Sequence, residues 1–212
     1  MTMVQSIPAR DVTLNTLKQQ FNLQSTQDPQ FFPEWSATYP DLNDREKAAL
    51  NRVQENFLAL TENPPLLENS VKMVVLAPLL DLAGFYRPPF HLETEASISL
   101  EMADEGITIQ GRIDVSVEKN TLWLLVIESK RSDFAVSRAI PQALAYMLAN
   151  PQGDRATFGA ITNGNEFLFL KAVRQPTAKY TNSRLFSLIN PGNELYNVLQ
   201  ILKGIGQIVV QK

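Results

Sequence analysis

The sequence predicts an α/β fold, a central mixed β-sheet flanked by helices, with an N-terminal helical and irregular extension. Three observations lead there. A helical pattern that stops before Gly84 is followed by three short strand-like segments in succession. The third of these holds Leu124-Leu125-Val126-Ile127, a continuous apolar run expected of a central strand covered on both sides. A helical segment then separates it from two further strands, and strand, helix, strand implies a parallel crossover, right-handed by default.

Along the chain, the first forty residues are polar and punctuated by Pro8, Pro29, Pro33 and Pro40, with Phe31, Phe32 and Trp35 among them. They read as an irregular arm that packs locally. From Asp44 to Leu60 the apolar residues Ala48, Ala49, Val53, Phe57 and Leu60 recur at helical spacing behind a cap at Asn43 or Asp41. Asn63-Pro64-Pro65 ends that helix, and a second is expected from Leu66 to about Ala83, terminated at Gly84. Strands follow over His91 to Leu100, Ile107 to Val117 and Leu122 to Lys130. A helix is expected over Ser137 to Ala149, where Pro141 must lie in the first turn or kink it. Phe158 to Thr162 and Glu166 to Lys171 pair as a hairpin through Asn163-Gly164-Asn165, and a helix near Glu194 to Lys203 closes the chain. Residues 1–62 are thus an arm and helix packed on a core of residues 63–212, in one domain overall.

Composition narrows the chemistry. With 212 residues, no cysteine and His91 as the one histidine, zinc fingers, iron–sulfur clusters, thiol nucleophiles and His-rich sites are excluded, and Ser-His-Asp schemes are strained. Any catalysis must then rest on carboxylates, lysine and tyrosine, with or without a hard metal ion. Neither a signal segment nor an apolar run long enough for a membrane span is visible, so a cytoplasmic location is expected. A net charge of −3 argues against a DNA-coating role, although Lys130, Arg131 and Arg138, with Lys119 and Arg112 nearby, form a local basic group.

The informative residues are Gly111-Arg112-Ile113-Asp114 and Ile127-Glu128-Ser129-Lys130. Strand alternation projects Glu128 and Lys130 from one face, with Ser129 turned away. Charges at the end of an apolar strand are costly unless they pair or bind an ion. Register decides whether Asp114 joins them. A two-residue turn at Lys119-Asn120 sets Asp114 against Leu125, pointing away from Glu128. A three- or five-residue loop, or a bulge, sets it against Val126, diagonal to Glu128 at roughly 7 Å. The second arrangement is the one expected here, because only it lets both carboxylates grip one ion.

Together these segments resemble the PD-(D/E)xK, or restriction endonuclease-like, nuclease superfamily. Asp114 matches the first acid, Glu128-Ser129-Lys130 the acid-x-Lys element, and Gln142 and Tyr146 the Gln-x-x-x-Tyr element of the RecB-like branch, four residues apart on one helix face. Thr162-Asn163-Gly164, followed by Phe167 and Phe169, is similar to the N-terminal nuclease domain of type I restriction enzyme motor subunits. The likeness runs from about Glu68 to Lys171. Ile113 stands where the superfamily name has proline, and no phosphate-binding Gly-x-x-x-x-Gly-Lys loop of a motor is present.

The resemblance implies a metal-dependent deoxyribonuclease with Asp114, Glu128 and Lys130 as catalytic residues and Mg2+ as cofactor, replaceable by Mn2+. Asp114, Glu128 and the backbone carbonyl of Ser129 would be its ligands. Gln142 and Tyr146 would support the site, and Glu68, near the start of the second helix, would add another acid. The implied partner is nucleic acid, in this reading DNA, with a homodimer and a separate motor or modification subunit also compatible. The competing expectation is a nuclease-fold module that binds nucleic acid or a protein without cutting.

Overall fold

The computed structural model describes residues 5–62, 65–101, 107–119, 122–150 and 155–210. Among these residues nine strands form one mixed sheet. Strand β3 (His91–Glu101), β4 (Ile107–Lys119) and β5 (Leu122–Ser129) make the expected antiparallel meander. Beyond it, β6 (Thr157–Thr162) runs parallel to β5, and β7 (Glu166–Val173) returns antiparallel to β6. The connection from β5 to β6 is a 3-10 turn over Val136–Ala139 leading into helix α5 (Ile140–Leu148). Pro141 sits in the first turn of α5, where its missing N–H costs nothing.

The N-terminal arm corrects the expectation of an irregular, locally packed segment. Its β1 (Gln5–Pro8) pairs in parallel with Ile107 to Gln110 of β4. Helix α1 (Leu14–Phe21) follows, and β2 (Gln24–Ser25) pairs with β8 (Lys179–Asn182) at the far edge. Such short strands carry no period-2 signature; they are strands because distant strands offer them hydrogen bonds, and Pro8 fits because it closes its strand. Strand β9 (Phe186–Ser187), beside β7, was equally silent in the sequence.

Helix α2 (Asp44–Thr61) begins at Asn43, whose side chain accepts from the Glu46 N–H while the Glu46 carboxylate accepts from the Asn43 N–H. Asn63 and Pro64, expected to end it, lie outside the described residues. The next helical stretch begins at Glu68 rather than Leu66 and has three parts: α3 (Glu68–Val71), a π-helical turn over Lys72–Leu76, and α4 (Ala77–Ala83), ending at Gly84 with φ 84°. Helix α6 (Leu195–Val210) runs further than expected. Among the described residues no helix is long and apolar enough to cross a membrane.

Alternation along β6 and β7 sorts the core into two layers. Phe158, Ala160, Phe167 and Phe169 join α2, α4 and α6, whereas Ile161, Leu168 and Leu170 join α1 and α5. Phe32 of the arm is buried against Phe158, with ring centroids 5.9 Å apart. Lys171 donates to Glu34 at 2.6 Å, tying the arm to β7.

The β6–β7 turn is a tight local constraint. The Asn163 side chain accepts from the N–H groups of Asn165 and Glu166 and donates to the Phe134 carbonyl at 2.9 Å, which anchors the loop after β5. Gly164 has φ 87°, and a Cβ there would lie 2.4 Å from Cε2 of the buried Phe57. Gly164→Ala therefore combines left-handed strain with overpacking, and a loss of about 3 kcal/mol is expected in urea unfolding.

Candidate cation and nuclease site

The register of β4 and β5 differs from both alternatives drawn from the sequence. Glu118 pairs with Trp123, a bulge intervenes, and then Val117 pairs with Leu125, Ser116 with Val126 and Val115 with Ile127. Asp114 is therefore level with Glu128, not with Val126 or Leu125. The turn, including Asn120, lies outside the described residues. The ladder stops at Val115, and Asp114 Oδ2 accepts the Ser129 N–H at 2.8 Å. A side-chain carboxylate thus stands in for the next backbone carbonyl, where β5 parts from β4. On the other side, β3 pairs Thr94 with Val115 and Ala96 with Ile113, and the intervening Glu95 has φ 59°.

Glu128 is buried, pairing with Ile161 of β6. Its Oε1 accepts from Lys130 Nζ at 2.5 Å, while its Oε2 is buried without a hydrogen-bond partner. Burial first, and then the nearby Asp114 carboxylate, push the Glu128 carboxyl up to about 7 despite the Lys130 ammonium. Lys130 lies one residue past the strand, held there as its N–H donates to the Thr162 carbonyl at 2.7 Å. Its ammonium also donates to Gln142 Oε1 at 3.2 Å and lies over the Phe134 ring.

Gln142 extends this chain, donating to the Tyr146 hydroxyl at 2.8 Å. Tyr146 is buried, and burial is the main cause that pushes its hydroxyl up to about 12, so it remains protonated and acts as a brace. It packs against Gly111, where a Cβ would come within 2.8 Å of the tyrosine ring and of Ala9. Gly111 thus has a physical reason: β4 must pass close beneath Tyr146.

Lys72 was missed. It opens the π-helical turn and donates to Asp114 Oδ1 at 2.6 Å. Burial works against its charge, but the hydrogen bond and attraction of Asp114 outweigh it and raise its pKa. The available signal was its position four residues after Glu68, which sets both on one helical face toward the sheet. Glu68 itself is half-buried at the start of α3 and is felt electrostatically by Lys72 and Glu128. It does not complete a three-acid cluster, and none exists among the described residues. In the basic group, Arg131 is closed on Asp133 by bonds of 3.1 and 2.9 Å, and exposed Arg112 lies 3.7 Å from Glu95.

These residues suit a hard divalent cation. Glu128 offers a buried oxygen with no partner, and burial, with Asp114 nearby, makes its negative charge costly there. Asp114 sits beside it through the Ser129 N–H. Two carboxylates and a backbone carbonyl such as that of Ser129 match magnesium, which keeps several waters rather than requiring an all-protein cage.

Comparison with known proteins bears on the family alone. No curated protein matches the chain. A fragment of a "putative HsdR subunit of a type I restriction enzyme" from Vibrio vulnificus overlaps it at 17% identity and a TM-score of 0.40, covering 66% of this chain and 26% of that one. The chain thus spans about a quarter of that protein's length, and the overlap is too loose to place any residue. The profile of the family described as "Type I restriction enzyme R protein N terminus" matches residues 13–178, more than three quarters of the 212 residues. By that match the chain belongs to the family of type I restriction enzyme R protein N termini.

Proposed function

We propose that this chain carries a divalent-cation-dependent deoxyribonuclease site that hydrolyses phosphodiester bonds. The observation that supports it is the register that sets Asp114 level with Glu128 where β5 parts from β4, near enough to raise the pKa of Glu128, with Glu128 Oε2 buried and unpartnered. Asp114, Glu128 and the Ser129 carbonyl would hold Mg2+, or Mn2+ in its place. When bound, the ion supplies Lewis acidity to water and phosphate. Lys130, fixed by Glu128 and Gln142, places a positive charge beside the reacting phosphate. Gln142 and Tyr146 keep that ammonium in position. DNA is the proposed partner, with a separate motor or modification subunit supplied by the type I enzyme context.

The test is cleavage of plasmid and linear DNA by the purified chain with Mg2+ or Mn2+, which chelation should abolish. Lys130→Met is expected to slow single-turnover cleavage about a hundredfold without weakening Mn2+ binding, because it removes a transition-state charge rather than a ligand. Parallel loss of both would reduce Lys130 to a prop for Glu128.

One observation favours a second reading. Both Asp114 oxygens are already engaged, by Lys72 and Ser129, as they would be in a module that binds nucleic acid or a protein without cutting. DNA retardation that ignores metal and survives Glu128→Gln would select it.

A further inference from the structure

Both Asp114 oxygens already carry a hydrogen bond, and a cation arriving on Oδ1 would meet the Lys72 ammonium. Asp114 Oδ2 is held by the Ser129 N–H at 2.8 Å, and Oδ1 by Lys72 Nζ at 2.6 Å. The pair is withdrawn from water, with side-chain exposures of 20% for Lys72 and 15% for Asp114. Lys72 arrives on the π-helical turn, a distortion frequent at functional sites because it re-aims the side chain it carries.

Glu95 offers the ammonium a second place. Its Oε1 lies 3.7 Å from Lys72 Nζ, so a movement of about 1 Å closes it to hydrogen-bond distance. Glu95 falls between the pairs Thr94–Val115 and Ala96–Ile113, beside Asp114, and holds a left-handed φ of 59° that glutamate rarely adopts. Its side chain is 57% exposed, so burial does not account for that backbone. Strain of this kind persists where a fixed side-chain position matters.

We propose that Lys72 fills the divalent cation's place on Asp114 and that Glu95 receives its ammonium when the cation binds. This rests on Asp114 and Glu128 being cation ligands. Lys72 and Glu95 are then positioning residues: one keeps the empty site neutral, and the other makes its departure cheap.

The experiment is Mn2+ titration of the full chain, followed by electron paramagnetic resonance and calorimetry, with folding checked by circular dichroism. Lys72→Met should tighten Mn2+ binding roughly tenfold, because no resident charge must be displaced. Lys72→Arg, which keeps the charge, should leave the affinity near that of the native chain. Glu95→Gln should weaken binding several-fold in the native background and change it less than about twofold in the Lys72→Met background. Plain electrostatics would instead preserve the Glu95→Gln effect in both backgrounds, overturning the hand-over. Unchanged affinity in Lys72→Met overturns it as well. Absence of Mn2+ binding in every variant overturns the cation-site reading, and this inference with it.

Discussion

Glu128→Gln is expected to abolish DNA cleavage and, in the same variant, to stabilise the cation-free protein above neutral pH. The two effects share one cause. In the native fold the Glu128 carboxyl titrates at about 7, against 4.5 for a free glutamate, chiefly because it is buried and next because Asp114 is near. Between those values the folded state holds a proton that the unfolded chain has released, so stability falls as pH rises from about 4.5 to about 7. A shift of this size corresponds to about 3 kcal/mol. Glutamine keeps the shape and an oxygen for Lys130 but cannot ionise. In urea unfolding with a chelator, the variant and the native chain should therefore be close near pH 5, and the variant more stable at pH 8. Saturating Mn2+ should reverse the order at pH 8, since only the native chain regains the missing charge. Parallel pH profiles for the two proteins would mean that Glu128 is not strained by its burial.

Asp114→Ala is expected to lower Mg2+-dependent cleavage by at least about a thousandfold. Its structural cost is separable. Alanine leaves the Ser129 N–H without its acceptor and Lys72 without its close partner, a loss of about 2 kcal/mol. Asp114→Asn retains an oxygen for the Ser129 N–H but turns its NH2 toward the Lys72 ammonium, so it should recover only part of that stability while recovering little cleavage. Full activity in Asp114→Ala preparations would identify a contaminating nuclease.

Much of this site was legible because its motif residues lie on elements with strong patterns. The apolar run ending at Ile127, the Asn163-Gly164 turn and Pro141 in the first turn of α5 fixed where Glu128, Lys130, Gln142 and Tyr146 would stand. The structure joins these four in one chain of hydrogen bonds. Register was not legible. The bulge near Val117 and Glu118 adds one residue to β5 against its partner, and no residue there marks it. The arm's strands were hidden for a different reason: Gln5 pairs with Ile107 across about a hundred residues, and a strand of four residues ending in proline announces nothing. Lys72 and Glu95 escaped because a lysine in a helix and a glutamate in an edge-like strand read as ordinary surface charges. Only the opening of the sheet at Asp114 makes them part of the site.

Crystals soaked in Mn2+ and measured at the manganese edge test most directly whether Asp114 and Glu128 hold a divalent cation together. The expected result is an anomalous peak bridging an Asp114 oxygen and Glu128 Oε2, with Lys72 Nζ withdrawn from Asp114. A fully soaked crystal with no peak there, and Lys72 still seated on Asp114, would contradict it.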